Sequence, residues 1–181
     1  QSNNYTNIDL KTVRFKFDIK EISLFLETID PVISYREAKI PANNIKVYVD
    51  FFSIIKNDPK IEKINLSLNQ LNINELKKLS IVIKPSNLKS FINNKIKEGK
   101  LNVALEIYLG RNNLVDNFIA RGSVVDLKAE IIKKLNLERT NFTFFADKTD
   151  VLIKNIKSQF GPIKIEEGDL KLNLLSGIKI E

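Results

Sequence analysis

The chain contains no cysteine, histidine, methionine or tryptophan. Without cysteine there are no disulfides, and without cysteine and histidine a structural zinc site loses its usual ligands. Without histidine, Ser-His-Asp and Cys-His catalytic arrangements are impossible within this chain. A cysteine-free sequence fits cytoplasm, periplasm and cell surface alike. The missing methionine predicts that Gln1 is an internal cut or a processed end. There are six glycines, and none are spaced as a phosphate cradle. No stretch approaches the run of about 18 apolar residues that a membrane span requires, and no signal peptide is visible. Any membrane anchor of a parent protein is therefore expected outside this piece. These absences predict a chain that is not an enzyme and that uses no metal and no cofactor.

What is present is ordinary for a folded protein. The 181 residues are 43% hydrophobic. That is enough for one domain with a sizeable core, and it makes disorder a poor default. The net charge is +7, carried mostly by lysines scattered singly along the chain. A nucleic-acid footprint needs clustered charge, with aromatic rings interleaved on the same face. Alternation in Arg14-Phe15-Lys16-Phe17 instead sends the basic residues to the face opposite the rings. Only Tyr48, Tyr108 and Phe145 fall on the polar side, so nucleic acid is not an expected partner. The abundance of isoleucine, asparagine and lysine reads partly as the codon bias of an AT-rich genome. The glycosylation-type triplets at 4–6, 65–67 and 141–143 therefore carry no weight.

Period-two alternation is the main signal. Val13, Phe15, Phe17 and Ile19 alternate with Arg14, Lys16, Asp18 and Lys20. Ile45, Val47 and Val49 form a second apolar set, and Ile64, Leu66 and Leu68 a third. Leu101, Val103, Leu105, Ile107 and Leu109 form a fourth, and Leu170, Leu172 and Leu174 a fifth. Ile178 and Ile180 are expected to start another strand. Further strands are expected at 118–125, 127–132, 140–146 and 150–157. In the first of these, Phe118, Ala120, Gly122 and Val124 share a face whose small residues predict a bend or a close backbone approach. Phe142 and Phe144 share a face in the third. Turns are expected at 110–113, 147–150, 161–162 and 167–169.

Helical spacing is confined to one region. Asp50 can cap a short turn carrying Phe51, Ile54 and Ile55, which Pro59 soon ends. Leu76, Leu79 and Ile83 fit a second helix. Leu88, Phe91, Ile92 and Ile96 fit a third, opened by Pro85 and Ser86, with Lys95 and Lys97 in its last turn and Gly99 as its stop. The segments around Gly99 and Gly168 echo one another as charged turn, glycine, strand. Either any hairpin reads this way or the chain carries a repeat. Carboxylates cluster at Glu166, Glu167 and Asp169, and at Asp147 and Asp150. Neither cluster has the spaced ladder of a calcium loop, and both read as solvated turns.

The expected fold is therefore mainly β with a few short helices. It is a curved antiparallel sheet forming an open apolar groove, with a closed β-sandwich as the alternative. Residues 1–181 are expected to form a single fragment of a longer β-groove protein. Possible sub-units are strands plus short helices over 1–98 and a strand meander over 99–181. Burying one large aliphatic or aromatic side chain gains about 1.5–3 kcal/mol, against a net domain stability of about 5–15 kcal/mol. A face made of many such side chains cannot stay wet. Either a second layer covers it, or a trough holds something apolar.

The segment Ile45–Ile55, followed by Pro59–Leu68, resembles the strand, short "D-(x)-x-S-L-L" helix, "I-x-x-I-x-L" strand unit of AsmA-like proteins, the group containing YhdP and TamB. Downstream, Lys84-Pro85-Ser86, Gly99-Lys100-Leu101, Phe118–Val124 and Gly168–Leu172 are similar to later elements of that family. The similarity runs from about residue 40 to 181 and is closest to the YhdP-like branch. It implies a periplasmic β-groove whose parent is anchored in the inner membrane of a Gram-negative-type bacterium. Such a groove carries phospholipid between inner and outer membranes, as do the chorein-type bridge proteins of eukaryotes. The family's membrane helix and C-terminal domain have no counterpart in these residues. The implied partners are phospholipid acyl chains, with membrane contact through segments outside this piece. The expected groove residues are Leu101, Val103, Leu105, Ile107, Phe118, Phe142, Phe144, Leu170 and Leu172; plain core packing and a structural or outer-membrane-assembly module without lipid cargo are the rival readings.

Overall fold

The computed structural model describes residues 6–10, 12–20, 23–35, 38–80, 87–110, 112, 114–132, 135–173 and 179–180. In chain order the described elements are β1 (Thr6–Asp9), β2 (Val13–Asp18), β3 (Ser23–Ile29), β4 (Val32–Tyr35), β5 (Ala38–Val49), α1 (Phe51–Ile55), β6 (Ile61–Leu68), β7 (Leu71–Asn72), α2 (Ile73–Leu79), α3 (Asn87–Asn94), β8 (Ile96–Leu109), β9 (Val115–Ile132), β10 (Leu135–Ala146), β11 (Asp150–Phe160), β12 (Ile163–Ile165), β13 (Leu170–Asn173) and β14 (Lys179–Ile180).

The strands build one large antiparallel sheet that does not close into a barrel. Its connectivity is a meander. β2 pairs β3, β3 pairs β5, β5 pairs β6, β6 pairs β8, and β8 to β11 follow in sequence before β13 and β14. β1 and β4 continue β2 and β3 in the same register, so each pair is one strand broken in the middle. β7 likewise continues β6 along β8, and β12 and β13 share β11. Among the described residues there is no second sheet, so the closed sandwich is not the architecture. The sheet also runs unbroken across residues 98 and 99, which both lie inside β8.

A line of irregularities crosses four neighbouring strands. Gly99 in β8 has φ 147°, Asp126 in β9 has φ 52°, Arg139 in β10 has φ 49° and Asn155 in β11 has φ 56°. The ladders slip at these points. Each is a bulge, which adds a residue to one strand and bends it. Left-handed backbone is tolerated by Asn and Asp, whose short polar side chains bond locally. Here the neighbouring strand completes the bond. The Asp126 N–H donates to Asn141 Oδ1 at 3.0 Å, and the Asn155 N–H donates to Asp169 Oδ1 at 3.0 Å. Asn141 Nδ2 in turn donates to the Arg139 carbonyl at 3.0 Å.

Several expectations change. The segments 118–125 and 127–132 are one strand, β9, kinked at Asp126 rather than divided by a turn. α3 ends at Asn94, so Ile96 and Lys97 belong to β8, and Gly99 is a bulge within that strand rather than a helix stop. Its missing Cβ admits Leu127, whose Cα and Cδ1 would each lie 3.4 Å from it. β3 and β4 have no counterpart among the expected strands, and Ile19 lies in the turn after β2. α1 forms as expected, with the Asp50 side chain accepting from the Phe52 N–H at 2.9 Å. α2 holds Leu76 and Leu79 and opens with a capping box, in which Asn72 accepts from the Asn74 and Glu75 N–H groups while Glu75 accepts from the Asn72 N–H. Ile83, Pro85, Ser86, Leu174 and Ile178 lie outside the described residues, as does the Leu88 side chain.

Deeply buried apolar groups sit where the helices meet the sheet. α2 packs on β5, β7 and β8, and α3 packs on β8 and α2. Leu71 and Ile92 are buried there, and the Ser80 hydroxyl joins the end of α2 to Asn93 Oδ1 of α3 at 2.9 Å. No helix among the described residues is long and apolar enough to cross a membrane.

Candidate functional site: an uncovered apolar face

Directly paired residues in a ladder share a face, so register shows what each face carries. One row crosses ten strands. Val13 pairs with Thr28, Thr28 with Ile45, Ile45 with Leu66, Leu66 with Leu105, and Leu105 with Ala120. Ala120 then pairs with Ala146, Ala146 with Val151, Val151 with Leu172, and Leu172 with Ile180. Thr28 is the single polar residue in that row. A flanking row reads Phe15, Leu26, Val47, Ile64, Ile107 and Phe118. Another reads Val103, Gly122, Phe144, Ile153 and Leu170, and a fourth reads Leu71, Leu101, Val124 and Phe142.

All nine residues expected from the sequence to line a groove lie in these rows. Leu101, Val103, Leu105 and Ile107 stand on β8, Phe118 on β9, Phe142 and Phe144 on β10, and Leu170 and Leu172 on β13. Not one of the nine is fully buried; each is half-buried. The face is contiguous and apolar, and no layer of strands lies over it among the described residues. Leu24, Leu26, Leu71, Val151 and Ile153 also belong to it, although alternation had not singled them out.

Gly122 shows how tightly this face is assembled. A Cβ there would meet the Asn102 carbonyl at 2.0 Å and the Phe144 ring at 2.7 Å. The ring lies over the glycine, filling the space an ordinary side chain would take. The run of small residues around Gly122 therefore marks a close approach, as the sequence implied.

The opposite face is polar and closes on itself. Phe25 stacks on Tyr48 with ring centroids 5.1 Å apart. Lys46 Nζ stands 5.3 Å from the Phe25 centroid, and Lys63 Nζ 4.3 Å from that of Tyr48. Beside them Glu27 is ion-paired with Lys16, accepts from Asn44 Nδ2 at 3.1 Å and lies 3.7 Å from Lys46. The Lys16 bond first, then that of Asn44, holds the Glu27 carboxyl below its ordinary pKa against the opposing effect of burial. Further along, Arg121 pairs with Glu106 at 3.0 Å, and Tyr108 Oη donates to Glu106 at 2.9 Å. That hydrogen bond, aided by burial, raises the Tyr108 phenol.

The acidic clusters have structural work. The Asp147 carboxylate accepts from the Asp150 and Thr149 N–H groups at 2.8 Å each and from the Thr149 hydroxyl, which lowers its pKa. Glu166 pairs with Lys164 at 2.9 Å, and Asp169 completes the bulge at Asn155. Among the described residues no group of three or more Asp and Glu side chains is placed to hold a metal ion. A cavity of about 720 Å³ lies at the bend, away from the apolar rows, with Arg139, Lys157, Lys164, Glu166 and Glu167 in its walls. Its charges are of both signs, and Lys164 and Glu166 are spent on each other. Comparison with protein-family models, curated proteins and solved structures gives no match to this chain.

Proposed function

We propose that this chain is a non-enzymatic segment of an AsmA-like periplasmic β-groove that shields or conducts phospholipid acyl chains between two membranes. One observation carries the reading: apolar rows cross the sheet from β2 to β13, α2 and α3 bury the end at Leu71, and no strand layer among the described residues covers the rest. Such a surface gains about 0.8 kcal/mol for each methylene it removes from water. Acyl chains supply methylenes without demanding hydrogen bonds. A wall made of Leu, Val, Ile, Phe, Ala and Gly holds them without polar hooks and lets them slide. Lipid headgroups would stay at the margin of the face, in solvent. The periplasmic location and inner-membrane anchoring of the parent rest on the family resemblance alone.

Native mass spectrometry of gently purified protein tests this. Phospholipid should travel with the protein, and fluorescently labelled phospholipid should be taken up. Recovery of protein free of lipid, together with no uptake, would overturn the reading. It would favour the rival assembly module, for which the exposed edge strand β2 offers a place for strand addition by a client.

A further inference from the structure

α1 is built inside out. Of its five residues, Phe51, Phe52, Ile54 and Ile55 are large and exposed, Phe52 by 69% and Ile55 by 66%, while the one polar residue, Ser53, is buried. Ser53 Oγ donates to the Asp50 carbonyl at 2.6 Å and accepts from the Lys60 N–H at 2.9 Å. With Asp50 capping its start, the helix is pinned to the β5–β6 connection while its apolar side chains face outward. The neighbouring connections at that end of the sheet do the same. Ile19 after β2 is 81% exposed, and Leu114 before β9 is 65% exposed. Register puts all three at one end: Leu24 pairs with Val49 just before α1, Val49 with Ile61 just after it, and Leu109 with Val115. The apolar rows run out beneath this rim at Phe17, Val49 and Leu109.

We infer that this rim is the end of the sheet that enters a lipid bilayer, with α1 as its inserting tip. The inference deepens the acyl-chain reading by naming the membrane-facing end. Two observations favour a bilayer over a protein. The apolar side chains come from three separate connections with polar residues between them, which a fluid interface accommodates and a complementary protein surface must match one by one. The rim also carries both signs of charge. Lys20, Lys56 and Lys60 stand among Asp18, Asp50 and Asp58, with Lys60 and Asp58 3.2 Å apart. That mixture suits zwitterionic headgroups, which present phosphate and ammonium together, rather than an anionic surface. Binding is therefore driven by insertion of apolar groups and is insensitive to salt.

Flotation with phosphatidylcholine vesicles tests the inference. The protein should float with the vesicles at low and at high salt. The double variant Phe52→Ser/Ile55→Ser, altered only at exposed positions, should lose on the order of tenfold or more in partitioning. Ile163→Ser, an equally bare apolar residue at the opposite end of the sheet, should float like the unaltered protein. No flotation, undiminished flotation of the double variant, or an equal loss in Ile163→Ser each overturns the inference. So does flotation confined to anionic vesicles and abolished by salt. A concentration-dependent dimer in sedimentation that the double variant dissolves would assign the rim to a second copy instead. Leu105→Glu separates the two readings: it should strip co-purified phospholipid and leave flotation intact.

Discussion

On the polar face, Phe25, Tyr48 and Glu27 are buried under the lysines and the asparagine that bond or cap them. On the apolar face, the leucines and phenylalanines of β8, β9, β10 and β13 stay half-open. A single-layer sheet usually does the reverse, burying its oily side and leaving its charged side wet. Here long cationic side chains fold back over the rings on the polar side, where their stems contribute apolar cover and their heads stay in water. The other side has no such arms, because its side chains are all short or stiff. The difference teaches that burial follows from what can reach over a surface: lysine stems on one side, and α2 and α3 over the Leu71 end of the other.

Substitutions can break that contrast. The largest effect is expected for Leu105→Glu, which puts a charge in the centre of the row crossing ten strands. Co-purified phospholipid should fall to background in mass spectrometry, whereas Tyr108→Glu on the opposite face should leave it unchanged. Gly122→Ala should destabilise by about 1–3 kcal/mol or more, because neither the Asn102 carbonyl nor the Phe144 ring can move away freely. The denaturation midpoint reads this, and Phe144→Ala in the same chain should recover only part, since the backbone clash remains.

A smaller effect tests the polar face. Glu27→Gln should cost about 1–3 kcal/mol, the loss expected for a buried charged hydrogen-bonding partner. It should also change the acid response. Because the folded carboxyl is held below its ordinary pKa, the unfolded chain takes up the proton first as pH falls. The stabilisation from this group is complete above the unfolded pKa and drains away as pH falls through the folded one. Urea midpoints measured across the acidic range should decline less steeply for Glu27→Gln than for the unaltered protein. Least of all, Asn141→Ala removes the acceptor for the Asp126 N–H and should cost about 0.5–1.5 kcal/mol, with faster amide exchange confined to the bend.

Strands that alternate strictly were legible from the residues alone. β2, β5, β6, β8 and β13 announce which side chains face together, and six of the nine residues expected to line a groove follow from that, while Phe118, Phe142 and Phe144 come from β9 and β10. β3 was not legible, because Leu24-Phe25-Leu26 is apolar on both faces and gives no period. The sequence before it, Ile19-Lys20-Glu21-Ile22, contains none of the residues that mark turns. The bulges were hidden for the opposite reason. In a chain this rich in asparagine, Asn155 and Asn141 look like any surface residue, and their purpose lies in a bond to the next strand. Gly99 was misplaced because a glycine after a helical pattern ordinarily ends it, and only pairing with β9 shows that the strand had already begun.

The meander has a further consequence. Every long strand among the described residues pairs only with the strands before and after it, so no distant strand must return to complete the sheet. Stability is then close to a sum of local terms and nearest-neighbour couplings, as in stacked repeats. Damage in one hairpin should stay near that hairpin, and hairpins could be added or removed at either margin much as rungs are added to a ladder. A surface made this way has no preferred length, and its reach is set by how many rungs the gene encodes.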